Sequence, residues 1–259
     1  MKIVVCIKQV PDTWSEKKLR SSDSTLDRDA ADPVMNELDE FAVEEALQIA
    51  ERTSGTVTVL SMGPAKTAET LRKALSMGAD EAVHLVDDSL AGSDALSTSY
   101  ALAKALETLE FDLVLLGSES TDAKMSVVPA MLAERLGLPQ LTFAKKVEVD
   151  DGTVRIHRLT EDGYQVVEAT TPAVVSVVEK INEPRYPSFK GIMAAKKKPL
   201  STLSATDAGI EAGQVGLSAA WSEVEDFAEA PPRQAGQVVK DEGDGGVKLA
   251  EFLASKKFV

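Results

Sequence analysis

Residues 1–7, Met-Lys-Ile-Val-Val-Cys-Ile, contain a continuous apolar run from Ile3 to Ile7. Such a run, β-branched apart from Cys6, is typical of a strand buried on both faces of a parallel sheet. Further strands are predicted over 56–60, 81–86 and 112–116, and helices over 37–53, 65–77, 93–109 (N-cap Ser93) and 124–136. This alternation of strand and helix predicts a parallel sheet with right-handed crossovers.

The pattern changes after Pro139. Residues 145–149 and 154–159 flank the turn Asp150-Asp151-Gly152, which predicts a β-hairpin. Two further strands are predicted over 166–169 and 173–178. An antiparallel portion is therefore expected beside the parallel sheet.

From about Thr206 the composition changes again. This part holds seven of the 16 glycines, the pair Pro231-Pro232 and ten acidic residues against five basic ones. A helix is predicted only near the end, over Gly246–Phe258. We expect a nucleotide-binding α/β domain over 1–205 and, over 206–259, an extended arm that packs on a partner chain, since a long irregular segment buries itself poorly. A flexible acidic tail is equally compatible with the composition.

Composition limits the classes of partner. The chain has 259 residues, 44% of them hydrophobic, and a net charge of −14, which should repel nucleic acid and anionic membranes. Cys6 is the single cysteine, so no disulfide can form within the chain. The first residues do not resemble a signal peptide, and no apolar run is long enough for a membrane span. We therefore expect a cytoplasmic protein without membrane insertion.

Most catalytic and metal-binding motifs are missing from the sequence. It has no G-x-G-x-x-G after a strand, no P-loop and no C-x-x-C pair. Its two histidines, His84 and His157, both lie in predicted strands. No metal site and no catalytic residue is predicted, so the sequence favours a non-enzymatic role.

Ligands of open parallel sheets bind at the carboxyl ends of the strands, where the strand order reverses. For a strand order of 3-2-1-4, the loops at that point are 8–13 and 117–126. Gly117 would let a ligand approach the backbone, and a helix start at Ala123–Val128 would present free N–H groups to a phosphate. Asp122 would then cap the helix or meet a ribose hydroxyl. An ordinary capped loop explains the same residues.

The stretch 182–198 has an apolar tip, Tyr186 to Phe189, stiffened by prolines and followed by four lysines. Apolar area held at low entropy cost is what a docking loop needs. A surface turn leading into a basic helix is the alternative interpretation. Within this segment Phe189 is the predicted contact, 182–185 are expected to hold the loop, and Lys196–Lys198 have no assigned role.

Several motifs occur in an order that matches a known family. They are Val5–Asp12 (VCIKQVPD), Met35-Asn36 with Ala42–Ala46 (MN…AVEEA), Gly63–Ala65 (GPA), Ala74–Asp80 (ALSMGAD), Leu113–Gly117 (LVLLG), Arg158–Val175 (RLTEDGYQVVEATTPAVV), and Asn182–Tyr186 followed by Ile192-Met193 and Lys196–Lys198. On these motifs the chain resembles the β subunit of electron-transfer flavoprotein, the FixA type. The likeness covers residues 1–200 and, more loosely, the arm.

The resemblance implies an α/β fold with a parallel, adenine-nucleotide α-hydrolase-like (Rossmann-like) sheet. It also implies an electron-transfer flavoprotein α subunit that holds most of an FAD, while this chain holds a structural AMP. Electrons would come from acyl-CoA or other flavin dehydrogenases and pass to electron-transfer flavoprotein–quinone oxidoreductase.

The resemblance also implies particular site residues. The AMP contacts would be Cys6, Asn36, Glu37, Leu38, Asp39, Met62, Gly117, Asp122, Ala123, Lys124, Met125, Ser126, Val127 and Val128. Thr13 and Leu38 would lie near the FAD, and Phe189, with Tyr186 and Ile192, would dock on partner dehydrogenases. The chain departs from the family at Val127 and Val128, where polar side chains are common. Its loop also lacks the glycine and threonine of the electron-bifurcating branch, which favours AMP over a second FAD.

Two other classes of function remain open at this point. A stand-alone adenine-nucleotide-binding protein of the universal-stress type would share the parallel sheet but would need neither the 182–198 loop nor the arm. An adenine-nucleotide hydrolase or ligase would need an S-G-G-x-D-S type loop after the first strand, where this chain has Lys8–Thr13.

Overall fold

The computed structural model describes residues 1–229, 231–232, 236 and 238–259. The described helices are α1 (Glu37–Thr53), α2 (Thr67–Met77), α3 (Ala95–Glu107), α4 (Val128–Leu136), α5 (Phe189–Ala195) and α6 (Gly245–Ser255). The described strands are β1 (Lys2–Cys6), β2 (Gln9–Pro11), β3 (Pro33–Met35), β4 (Thr56–Met62), β5 (Glu81–Leu85), β6 (Leu113–Gly117), β7 (Gln140–Asp150), β8 (Thr153–Thr160), β9 (Gly163–Thr170), β10 (Ala173–Val177) and β11 (Leu200–Leu203).

Nine strands form one sheet in the order β11-β5-β4-β1-β6-β10-β7-β8-β9. Neighbours from β11 to β7 run parallel, whereas β8 and β9 continue the sheet in antiparallel fashion. Strand β1 is central: its Val5 is paired with Val59 on one side and Leu115 on the other. The predicted α/β fold with an added antiparallel portion is confirmed. The first four predicted strands have the order β5-β4-β1-β6, which is the order 3-2-1-4 that the sequence analysis assumed.

The side chains of β1 alternate between two apolar layers, because successive residues of a strand point to opposite faces. Ile3 and Val5 belong to the cluster that also contains the buried residues of α1 and α2. Val4 and Cys6 belong to the cluster that contains the buried residues of α3 and α4. Helices therefore cover both faces of the parallel portion, as its continuous apolar strands predict.

Three predicted helix starts were wrong, and the first is that of α2, which begins at Thr67 in place of residue 65. The helix predicted from residue 124 begins at Val128, because Pro129 lacks an N–H group and fits only the first turn. For α3 the N-cap is Asp94, whose carboxylate accepts a hydrogen bond from the Ser97 N–H at 2.9 Å. The Ser93 hydroxyl instead accepts one from the Gly216 N–H at 2.8 Å.

The chain forms two compact units, Met1–Glu225 and Asp226–Val259. In the first unit, Ala205, Ala208, Ile210 and Val215 belong to the same apolar cluster as α3 and α4. The second unit contains α6, close to the helix predicted over 246–258. The parts of the predicted arm at residues 230, 233–235 and 237 lie outside the described residues. No helix that the structure describes is long and apolar enough to span a membrane.

Candidate functional site

The carboxyl ends of β1 and β6 are joined by one buried carboxylate, that of Asp39 in the first turn of α1. Its two oxygens accept hydrogen bonds from the Lys8 N–H at 2.7 Å and the Gly117 N–H at 3.1 Å. Only 5% of Asp39 is exposed. Asp39 therefore fixes the two strand ends that flank the reversal of strand order, where a ligand of this fold binds.

Burial governs the ionisation of the Asp39 carboxyl and of the Cys6 thiol at the end of β1. It raises the pKa of Asp39 to about 7, although the hydrogen bonds from the backbone N–H groups of Lys8 and Gly117 act in the opposite direction. Burial also raises the pKa of the Cys6 thiol well above its ordinary value. Cys6 is thus a protonated, apolar part of the wall and not an activated nucleophile.

Gly117 is required by the close approach of α1. A Cβ atom at this position would lie 2.6 Å from Asp39 Oδ1 and 2.8 Å from the backbone carbon of Leu38. Both distances are shorter than real Cβ contacts, so a larger residue would separate the strand end from the helix. The glycine predicted to allow close approach of a ligand thus also allows close approach of a helix.

Asn36, immediately before α1, ties the loop after β6 to the start of this helix. Its Oδ1 accepts a hydrogen bond from the Thr121 N–H at 3.0 Å, and its Nδ2 donates to the Glu119 carbonyl at 2.9 Å. Asn36 is 1% exposed, and its own N–H donates to the Lys8 carbonyl at 2.9 Å. One amide side chain therefore connects both loops of the site.

Asp122 is paired with a cation and does not cap a helix, so its predicted capping role was wrong. Lys8 Nζ donates to Asp122 Oδ1 at 2.8 Å and to the Ser120 hydroxyl at 3.3 Å. Arg28 lies on the other side, 4.0 Å from Asp122 Oδ2. Burial by itself would raise the pKa of Asp122, but the charge of Lys8 lowers it overall. Asp122 is therefore an ionised, neutralised member of the site.

The loop from Ala123 to Val127 has an irregular backbone in place of the expected helical turn. Lys124 and Ser126 adopt left-handed conformations, with φ of 51° and 55°. Among the residues that the structure describes, the N–H groups of Met125, Ser126 and Val127 donate no hydrogen bond. Backbone of this kind forms concave sets of N–H groups that bind anions. The free donors predicted at the helix start are thus present, but on a loop.

Two hydroxyls near these loops are buried without a partner. Thr121 Oγ1, at the centre of the loop after β6, and Thr13 Oγ1, just beyond β2, make no hydrogen bond within the described part of the chain. A buried polar atom without a partner costs free energy, commonly about 1–3 kcal/mol. A polar ligand group that bonded to either hydroxyl would recover that cost.

The other predicted site residues lie around this centre. Met62 ends β4, the strand beside β1, and is half-buried. Leu38 is half-buried and Glu37 exposed in the first turn of α1, while Ala123, Lys124 and Met125 form the exposed crest of the loop and Val128 begins α4. The sequence prediction missed Lys8 and Arg28 as charged partners of Asp122. Lys8 could have been found from its place directly after a buried strand, whereas nothing in the sequence marks Arg28.

Comparison with known proteins identifies the family. The electron transfer flavoprotein domain matches residues 23–208. The chain is 54% identical over 263 aligned residues to the electron transfer flavoprotein subunit beta of Mycobacterium tuberculosis, covering 99% of both proteins. The chain belongs to the electron transfer flavoprotein family, among the beta subunits.

Relatives of lower sequence identity include another beta subunit and a subunit of a reductase complex. The electron transfer flavoprotein subunit beta of Thermoanaerobacterium thermosaccharolyticum is 39% identical over 239 residues, 92% of each protein. Subunit CarD of the caffeyl-CoA reductase-Etf complex of Acetobacterium woodii is 36% identical over 258 residues, with 99% of this chain and 97% of CarD covered. Membership of this family implies electron transfer that involves a flavin.

In this electron transfer flavoprotein chain, the 182–198 segment has an exposed apolar tip. Tyr186 is 95% exposed and Phe189 81%, and Ile192 and Met193 are also exposed. Phe189 begins the short helix α5, whose N-cap Ser188 accepts a hydrogen bond from the Gly191 N–H at 3.0 Å. The tip therefore leads into a helical turn, and both present apolar side chains outward.

The base of this segment is fixed to α1, the helix that carries Asp39. Arg185 Nε and Nη2 donate to the two oxygens of Glu44 at 2.7 and 3.0 Å, and Nη1 donates to Glu51 at 2.6 Å. Asn182 Nδ2 donates to the Phe41 carbonyl at 3.1 Å and to Glu45 at 3.0 Å. Residues 182 and 185 therefore hold the segment, as the sequence predicted.

Proposed function

We propose that this chain joins an electron-transfer flavoprotein α subunit and that the pair carries electrons on FAD. The donors are flavin dehydrogenases such as acyl-CoA dehydrogenases, and the acceptor is electron-transfer flavoprotein–quinone oxidoreductase. The observation that carries the proposal is membership of the family over essentially the whole chain. Two features of the structure support it: three neighbouring backbone N–H groups without a partner among the described residues, close to the reversal of strand order, and an exposed apolar tip on the same unit.

The residues around Asp39 fit a structural AMP. In this assignment the N–H groups of Met125, Ser126 and Val127 hold the phosphate, which requires no side-chain donor from Val127 or Val128. The Gly117 backbone and the Thr121 hydroxyl face the nucleoside part. Lys8 neutralises Asp122 and so lowers the repulsion between Asp122 and the phosphate.

Thr13 and Leu38 are proposed to approach the FAD from this chain. FAD, when bound, can accept two electrons and release them one at a time. The contribution of this chain is positioning and electrostatics: the unpaired Thr13 hydroxyl can bond to the cofactor, and Leu38 supplies apolar contact. No acid–base chemistry is assigned to either residue.

The nucleotide assignment is tested on the heterodimer purified with its α subunit. We expect flavin bands in the visible spectrum, and mass spectrometry of the released nucleotides should find FAD and AMP in equal amounts. An intact heterodimer without flavin would refute the electron-carrier proposal. Two FAD per heterodimer would refute the AMP assignment and would favour the electron-bifurcating branch of the family.

Docking through Phe189 is tested by replacing this residue with Ala in the heterodimer. Because an exposed aromatic at the tip would fill a pocket on the partner, kcat/KM for flavin reduction by an acyl-CoA dehydrogenase should fall about 10-fold or more. Phe189→Leu is the matched control, since it keeps an apolar side chain, and it should retain most of the rate. Equal kinetics for wild type and Phe189→Ala at limiting carrier would contradict this role.

The C-terminal part is proposed as the arm that packs on the α subunit. Removing the second compact unit, Asp226–Val259, should abolish co-purification with the α subunit while the first unit stays folded. Circular dichroism would confirm the folded first unit. A truncated chain that still formed the heterodimer would contradict the proposal. The cytoplasmic location expected from the sequence stays a prediction.

A further inference from the structure

The segment around the apolar tip is locally cationic on an acidic protein. From Arg185 to Lys198 the chain has five basic residues and no carboxylate, although the whole chain carries a net charge of −14. A cluster of this kind is usually a solvated surface or an element held by internal ion pairs. The structure separates the cations of this cluster into two groups with different surroundings.

The first group is used internally. Arg185 pairs with Glu44 and Glu51. Lys198 Nζ donates to the carbonyls of Leu75, Gly78 and Ala79 at 3.2, 3.0 and 2.6 Å. These carbonyls lie at the C-terminal end of α2, where a cation satisfies unpaired oxygens and interacts favourably with the helix dipole. Lys198 is therefore structural and not available to a partner.

The second group consists of Lys190, Lys196 and Lys197, all exposed. Within the described residues, none of these three side chains forms an ion pair or a hydrogen bond. Their unpaired state contrasts with that of Lys2, Lys104 and Lys146, which pair with Glu110, Glu107 and Glu148. Among the described residues, the cations of this segment without a partner are therefore those on α5 or directly after it.

The geometry of α5 places these lysines around the apolar tip. The helix packs through Ala195, which is buried, and through Gly191, where a Cβ would lie 2.5 Å from the Ser76 carbonyl oxygen. At about 100° per residue, the opposite side carries Phe189 and Met193, and the exposed Ile192 lies at its border. Lys190 and Lys196 fall within about 100° of Phe189 around the axis, and Lys197 follows directly. The exposed surface is thus an apolar centre bordered by ammonium groups.

We propose that Lys190, Lys196 and Lys197 form a cationic collar that recognises carboxylates around an apolar pocket on the electron-donating dehydrogenase. This inference rests on the proposed function, since it takes the tip as the docking element. A net charge of −14 repels an acidic partner from most of the surface. The collar attracts the carboxylates of the partner to one face of this chain. It therefore selects the orientation in which the two proteins approach, and it raises their association rate.

The test uses the holo heterodimer and a purified acyl-CoA dehydrogenase at several salt concentrations. The triple variant Lys190→Gln/Lys196→Gln/Lys197→Gln should lower kcat/KM roughly 3- to 10-fold at low ionic strength, with kcat at saturation unchanged. The decrease of the wild-type rate with added salt should become shallower in this variant. Flavin and AMP content should equal those of wild type.

The matched control is Lys2→Gln/Lys104→Gln/Lys146→Gln, which changes the net charge equally at lysines remote in sequence from the tip. It should keep wild-type kinetics and salt dependence. Equal kcat/KM in the two triple variants, or unchanged salt dependence in the collar variant, would overturn the collar. If Phe189→Ala lowered the rate and the collar variant did not, docking would be purely apolar, and the proposed function would stand without the collar. If no dehydrogenase reduced the wild-type flavin, both would fall.

Discussion

The ion pair between Arg185 and Glu44 is expected to hold the 182–198 segment on α1. The Glu44 side chain is only 5% exposed and receives two hydrogen bonds from the guanidinium, as well as one from the Arg185 N–H at 3.2 Å. Burial by itself would raise the pKa of Glu44, but the bonds from Arg185 lower it overall. Replacing Arg185 by Ala would therefore leave a buried carboxylate without its charge partner.

The loss of local stability in Arg185→Ala follows from the burial of Arg185 and Glu44. Breaking a buried ion pair commonly costs about 3–5 kcal/mol, but Arg185 is 35% exposed, so solvent reduces the loss to about 2 kcal/mol. This corresponds to a roughly 30-fold larger equilibrium constant for opening of the segment. Amide hydrogen exchange of residues 186–198, measured in the holo heterodimer, reads out this opening directly.

The matched control is Arg155→Ala, which removes a comparable carboxylate pair with Glu168. Both partners there are about half exposed, at 50% and 48%, so we expect a change of at most about 1 kcal/mol in local stability. Arg185→Lys should recover only part of the loss, because an ammonium cannot bond to both carboxylate oxygens in the planar fork geometry. Equal exchange in wild type and Arg185→Ala, measured at residues 186–198, would refute the reasoning.

Three further predictions concern the residues that hold the site and the segment. Burial raises the pKa of Asp39 to about 7, above its unfolded value of about 3.9. The contribution of Asp39 to the free energy of unfolding is therefore complete below pH 4 and is lost as the pH rises to about 7. Asp39→Asn should remove this pH dependence, which is a slope of up to about 1.4 kcal/mol per pH unit in the free energy of unfolding measured across that range. Gly117→Ala should destabilise the complex by about 1–3 kcal/mol and lower its AMP content, because the added methyl overlaps Asp39 and Leu38. Lys198→Met should raise hydrogen exchange at the C-terminal end of α2, because three carbonyls lose their donor.

Each of these predictions has a control and an opposing outcome. An unaltered pH slope in Asp39→Asn would show that another group titrates. Gly213→Ala is the control for Gly117, since nothing lies within 4 Å of a Cβ there, and equal AMP contents in the two variants would contradict the packing argument. Lys197→Met is the control for Lys198, and equal exchange in both would mean that the helix end does not depend on the ammonium group.

The local pattern of the sequence was sufficient for most elements of the fold. Helix α1 has the predicted bounds, and the strand runs and the hairpin follow from apolar periodicity and turn residues. These signals are local, since periodicity reports which faces of a segment are buried. The error at residue 124 was also local, because Pro129 already restricts where the helix can begin.

The sequence could predict where the site residues lie in the fold, but not which partners their side chains would bond to. The sequence by itself determined which loops follow the buried strands, and it placed 8–13 beside 117–126 only for an assumed strand order, which the structure contains. Only the tertiary structure decided that Asp39 joins both strand ends, that Asp122 pairs with Lys8 and that Lys198 is structural. It also decided that Lys190, Lys196 and Lys197 have no partner among the residues that it describes. Asp39 is 78 residues from Gly117, Lys8 is 114 from Asp122, and Lys198 is 119 from Ala79. Pairings over such separations are set by the packing of α1, α2 and the sheet, and no local pattern of residues encodes them.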